Sequence, residues 1–131
     1  MFTKSAGLRL LTGAALAAAA LTLSTGTAHA IDSPYAQAAA KVDNTGSLIY
    51  GKNIAAVSKP STGAYCVRVT DDVDLSKAVI QVTPAWYRDR TMTVTTGNTS
   101  YCGDNSKTIT VRSYSAKNNT DADASFYLTV S

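Results

Sequence analysis

The residues best suited to contact another molecule are concentrated in Pro84-Ala85-Trp86-Tyr87-Arg88-Asp89-Arg90, which holds the single Trp of the chain. Flat aromatic faces stack on sugar rings, and Arg and Asp hydrogen-bond hydroxyls. Loop aromatics also anchor protein contacts. Trp86, Tyr87, Arg88 and Arg90 are therefore the candidate ligand-binding residues. The alternative is that Trp86 plugs one end of the core while Arg88 and Arg90 solvate the rim.

Other chemistries find less support. Asp71-Asp72-x-Asp74, with Asp121 and Asp123 from another loop, offers carboxylates of the kind that bind Ca²⁺. The spacing lacks the Gly and the bidentate Glu of an EF-type loop, and Asp is also an ordinary turn residue, so the run reads equally as turns. The sequence holds no Glu, and its one His, His29, precedes the predicted mature chain. A Ser-His-Asp or Cys-His arrangement therefore cannot be assembled there. Two Asp can in principle serve a glycosidase, but nothing singles out a pair among the nine. The expectation is a protein that is not an enzyme and uses no cofactor or metal. Asn98-Thr99-Ser100 and Asn118-Asn119-Thr120 match the glycosylation acceptor pattern and read as unmodified loop residues in a bacterial host.

The address lies at the N-terminus. Lys4 and Arg9 precede an Ala- and Leu-rich run from Leu10 to Leu23, and Ala28-His29-Ala30 forms a cleavage site, so residues 1–30 read as a secretory signal peptide. Loss of Lys4 and Arg9 from the 12 basic residues brings the mature chain close to balance with its nine acids. That balance disfavours a nucleic-acid partner. The apolar run is short for a span, so no stable membrane insertion is expected after cleavage. The predicted location is secreted, with possible retention at the cell surface. Cys66 and Cys102, the only cysteines, are expected to form an intrachain disulfide. Closing that loop is worth about 4 kcal/mol on a chain-entropy model.

The elements that must carry the Trp86 loop read as strands. In Ala64–Thr70, Tyr65, Val67 and Val69 alternate with Cys66, Arg68 and Thr70, the two-residue period of a half-buried strand. Lys59-Pro60-Ser61-Thr62-Gly63 reads as the turn before it. Further candidates are Leu48–Tyr50, Ile54–Ser58, Lys77–Thr83, Thr91–Thr96, Lys107–Tyr114 and Ser125–Val130. Gly97-Asn98 reads as a hairpin turn with Thr99–Cys102 returning. Residues 31–45, Ala-rich around Ala38-Ala39-Ala40, read as a flexible N-terminal arm, and 46–131 as one all-β domain. The expected fold is an antiparallel β-sandwich or small barrel-like domain of about six to eight short strands with one disulfide.

The run Thr62-Gly63-x-Tyr65-x-Val67-x-Val69-x-x-Asp72-Val73 resembles the G-x-Y-x-V-x-F-x-x-D-V signature of small secreted β-domains of uncharacterised actinobacterial proteins. These are related to domains in phage-tail-fibre-like and collagen-like surface proteins. Val82-Thr83-Pro84 and the terminal Phe126-x-Leu128-x-Val130 also fit. Val69 stands where Phe is usual, and Cys66 lies within the strand, where the family often has a Cys after the D-V. The resemblance implies an all-β fold, an extracellular or surface setting and possible self-association, and it transfers no catalytic residue. Together these readings predict a non-catalytic extracellular binding module for a polysaccharide or an extracellular protein. The alternatives are a structural or self-assembling surface protein, forming homo-oligomers through sheet edges, and a secreted hydrolase inhibitor.

Overall fold

A computed structural model describes residues 35–131. The predicted signal peptide and residues 31–34 lie outside the described residues. Eight strands follow one another: β1 (Ala38–Val42), β2 (Leu48–Lys52), β3 (Ile54–Ser61), β4 (Ala64–Val69), β5 (Ile80–Pro84), β6 (Arg90–Thr96), β7 (Thr108–Ser115) and β8 (Phe126–Val130). They form two antiparallel four-stranded sheets, ordered β2-β1-β8-β5 and β3-β4-β7-β6. This is the expected all-β sandwich.

Alternation builds the core. Tyr65, Val67 and Val69 of β4 face Ile109 and Val111 of β7, and across the sandwich Phe126, Leu128 and Val130 of β8 meet Ala38, Ala40 and Val42 of β1. All of these side chains are buried, each large one contributing about 1.5–3 kcal/mol over its exposed state. The Tyr65 and Phe126 rings meet edge to face, with centroids 5.1 Å apart. The Tyr65 hydroxyl donates to the Asn44 carbonyl (3.0 Å) and accepts the Ala124 N–H (3.1 Å). One buried side chain thereby ties the β1–β2 turn to the lead-in of β8.

Three expectations are corrected. The N-terminal arm does not extend to residue 45: Ala38–Val42 is a strand between β2 and β8, and Asp43–Ser47 is the turn that follows. The small Ala side chains let it lie deep in its sheet, where pairing on both edges outweighs local helical preference. Thr99–Cys102 is not a return strand; β6 pairs with β7, and Thr99 bridges Gly103 inside the long connection. The turn before β4 is only Thr62-Gly63, because β3 continues through Pro60 to Ser61. β3 lies at a sheet edge, where the missing Pro N–H costs no ladder bond.

The outer faces of the two sheets differ. Over the β3-β4-β7-β6 sheet, the 97–107 connection folds back and is pinned by the Cys66–Cys102 disulfide, Cα atoms 5.6 Å apart, and by the Thr99–Thr110 hydroxyl pair (2.8 Å). Outward-facing Ala64, Cys66 and Thr110 are buried as a result. On the outer face of β2-β1-β8-β5, Tyr127 remains 41% exposed, and Gln81 and Thr83 beside it are also exposed.

Candidate binding site

The Trp86 loop is the corner by which the chain leaves β5 in one sheet and enters β6 in the other. Backbone bonds fix both ends. The Ala85 N–H donates to the Ser125 carbonyl (2.7 Å), and the Ala116 N–H donates to the Asp89 carbonyl (2.7 Å). Ala85 is buried at the foot of the corner. Trp86 is 89% exposed and takes φ of 73°. That left-handed conformation is unfavourable for a side chain of its size, and such outliers persist only where the surroundings impose them.

The four predicted residues divide into two pairs. Arg90 packs its guanidinium over the Tyr87 ring, 4.9 Å from the centroid, while its Nε donates to the Asp123 carbonyl (3.1 Å) and its Nη1 pairs with Asp89 (2.7 Å). Tyr87 and Arg90 thus stiffen the corner. Trp86 and Arg88 are the two that face solvent. Trp86 does not plug the core.

The acidic candidates are not assembled. Asp71, Asp72 and Asp74 lie in the β4–β5 connection, whereas Asp121 and Asp123 lie in the β7–β8 connection. The Asp72 carboxyl is held below its usual range by the Thr70 hydroxyl, and that of Asp74 by the Ser76 hydroxyl. These carboxylates order their own turns. Asp121 pairs with Arg112 (2.6 Å), and Asp123 accepts the Gly63 N–H (2.7 Å) and pairs with Lys59 (3.0 Å). Among the described residues no group of three or more potential metal ligands converges. A cleft of about 300 Å³ lies beside Asp74, Ser76, Gly97 and Lys107. Its charged groups are engaged, Asp74 with Ser76 and Lys107 with the Val73 carbonyl.

Sequence reasoning missed two further aromatic–cation groups. On the capped sheet, Arg112 lies between Tyr101 (3.9 Å from the centroid) and Tyr114 (5.1 Å). On the open sheet, Lys41 Nζ lies 5.7 Å from the Tyr50 centroid and 5.3 Å from that of Tyr127. For the open-sheet group the available signal was an outward residue on each of three separate strands, which only the pairing register brings together; for the other it was Arg112 and Tyr114 two apart on β7, with Tyr101 added by the disulfide-pinned connection.

Among the described residues no helix is long and apolar enough to cross a membrane. The chain matches no family model, no curated protein and no solved structure.

Proposed function

We propose that this protein is a non-catalytic extracellular binding module that engages its partner through the Trp86–Arg88 corner. The observation that carries the reading is the exposure of Trp86 on a braced loop, at a backbone angle that disfavours it. Exposing an indole forfeits its burial energy, and holding it at positive φ adds strain. A rigid aromatic presented in this way loses little entropy when it stacks on a partner, and Arg88 adjoins it as a hydrogen-bond donor.

Further support comes from the disulfide, which is compatible with an extracellular location. The described residues include no His, and both cysteines are oxidised, so a nucleophile–base pair of the common kinds is not available.

The test is co-sedimentation of the mature protein with insoluble cell wall, chitin and cellulose, with Trp fluorescence followed on soluble fragments. Since Trp86 is the single Trp, emission reports on the corner alone. Retention with a blue shift, lost in Trp86→Ala and weakened in Arg88→Ala, is the expected result for a polysaccharide. A pull-down from the extracellular fraction that depends on Trp86 would identify a protein partner in the same role. Partners bound equally by wild type and both variants would refute the site.

A further inference from the structure

We propose that the outer face of the β2-β1-β8-β5 sheet is a second binding surface, for an extended anionic polysaccharide. It is distinct from the Trp86 corner and does not depend on it.

The register defines the surface. Lys41 of β1 pairs with Tyr50 of β2 on one side and with Tyr127 of β8 on the other, and Tyr127 pairs in turn with Thr83 of β5. Directly paired residues point to the same face. One row across four strands therefore reads Tyr50, Lys41, Tyr127, Thr83. The next row reads Lys52, Ala39, Thr129, Gln81. Neither row contains an acid. The rows supply hydroxyl and amide groups and the Lys41 ammonium around two rings, while Lys52 of the second row donates to the Ala36 carbonyl (2.7 Å) and Ala39 is buried.

Charge selects the occupant. Three cations of the described chain are stacked on Tyr rings: Arg90, Arg112 and Lys41. Arg90 is neutralised by Asp89 and Arg112 by Asp121. Lys41 stands between two rings with no carboxylate partner among the described residues. A half-buried ammonium held in place by aromatic faces is a site for an external anion. Lys offers a compact point charge, which pairs with a single carboxylate or phosphate oxygen without demanding bidentate geometry. The surroundings are flat and hydroxyl-rich and run across the whole sheet. They suit a chain of sugar rings bearing acidic groups better than a small ligand, which needs a concave pocket. The opposite sheet is capped by its disulfide-pinned loop, whereas Tyr127, Thr83 and Gln81 are exposed on this one.

The test is affinity electrophoresis of the mature protein in gels containing polygalacturonate, with dextran as the neutral polymer and polyglutamate as the acidic peptide, at near-physiological ionic strength. Retardation by polygalacturonate alone is expected. Lys41→Gln and Tyr127→Ala, both surface changes whose folding is checked by circular dichroism, should each weaken it about tenfold or more. Lys117→Gln, which removes an exposed cation of the β7–β8 connection, should leave it unchanged. No retardation by polygalacturonate overturns the proposal, as does retardation indifferent to Lys41→Gln and Tyr127→Ala. Equal retardation by polyglutamate overturns it in favour of an acidic protein segment. Retardation lost only in Trp86→Ala assigns the polymer to the corner instead.

Discussion

Replacing Trp86 should cost the fold almost nothing, and replacing it by Gly should cost less than replacing it by Ala. At 89% exposure the indole buries too little surface for its removal to matter, so Trp86→Ala is expected within about 0.5 kcal/mol of wild type. The backbone at φ 73° is a separate term. A left-handed residue with a Cβ carries about 1–2 kcal/mol of strain. Ala keeps that strain and Gly releases it, against about 0.5–1 kcal/mol of extra chain entropy lost by Gly on folding. The Gly variant should therefore equal or exceed the Ala variant by up to about 1.5 kcal/mol, the reverse of the order at an ordinary position. For a domain of this size each kcal/mol corresponds to about 4–8 °C in the melting midpoint. The assay is urea and thermal unfolding followed by far-UV circular dichroism, since fluorescence disappears with the single Trp. If either variant fell by more than about 1 kcal/mol, the indole would have to be packed, and Trp86 would belong to the core after all. If Gly were the less stable of the two by the usual margin, the strained corner would be refuted.

Tyr65→Phe should lower stability by about 1–3 kcal/mol in urea unfolding, because it strands the buried Ala124 N–H and the Asn44 carbonyl. Burial holds the Tyr65 hydroxyl up to about 12. The unfolded chain releases this proton near pH 10 while the folded chain keeps it, so stability should be full below pH 10 and fall as pH rises toward 12; that component should be absent from the Phe variant. Gly63→Ala should be severely destabilising, seen as loss of the cooperative melt or a midpoint lowered by more than 10 °C, roughly a 2 kcal/mol loss. Its φ is +68°, and a Cβ there would stand 2.4 Å from the Ser113 carbonyl oxygen. The double variant Cys66→Ala, Cys102→Ala should lose about 4 kcal/mol in chemical unfolding relative to the oxidised protein. Ser113→Ala should be neutral or stabilising by about 1 kcal/mol in the same assay, since the Ser113 hydroxyl is buried without a partner.

What could be read from the sequence follows the physics of each element. β4, β7 and β8 were legible because inward Val, Ile, Leu and aromatic residues alternate with outward polar ones, and that pattern alone places one face in the core. β1 was not, because Ala38, Ala39 and Ala40 erase the alternation, and only pairing with β2 and β8 makes them extended. The 97–107 connection misled for a related reason. Gly97-Asn98 carries a local turn signal, but the path beyond it is set by a disulfide to β4 and a hydroxyl pair to β7. The candidate site was legible as a list of residue types and not as a division of labour. That Arg90 stacks on Tyr87 while Trp86 stands free depends on Ala116, Asp123 and Ser125, which come from a distant part of the chain. Lys41, Tyr50 and Tyr127 were invisible as a set because no two of them share a strand.

A partner can use only those charged and aromatic groups that the fold has left free, and subtraction narrows them sharply. Arg90 holds the β5–β6 corner to the lead-in of β8, and Arg112, through Asp121 and the Gly63 carbonyl, holds β7 to the turn before β4. Tyr65 is consumed by the core, and Tyr87, Tyr101 and Tyr114 serve as stacking surfaces for these two arginines. Removing any of them would weaken the fold and binding together, so loss of binding in such a variant says nothing about contact. Besides singly exposed groups such as Arg68, Lys77, Lys117 and Tyr35, what remains is Trp86 with Arg88 on the corner, and Lys41 between Tyr50 and Tyr127 on the open sheet. The Trp86–Arg88 pair supplies no interaction on which the fold visibly depends, and Lys41 supplies only its two ring contacts between strands already paired, which is why substitutions there can separate recognition from stability. If both surfaces bind, their effects should multiply, because one sits on a corner fixed by backbone bonds and the other on a paired sheet, with no shared side chain to couple them.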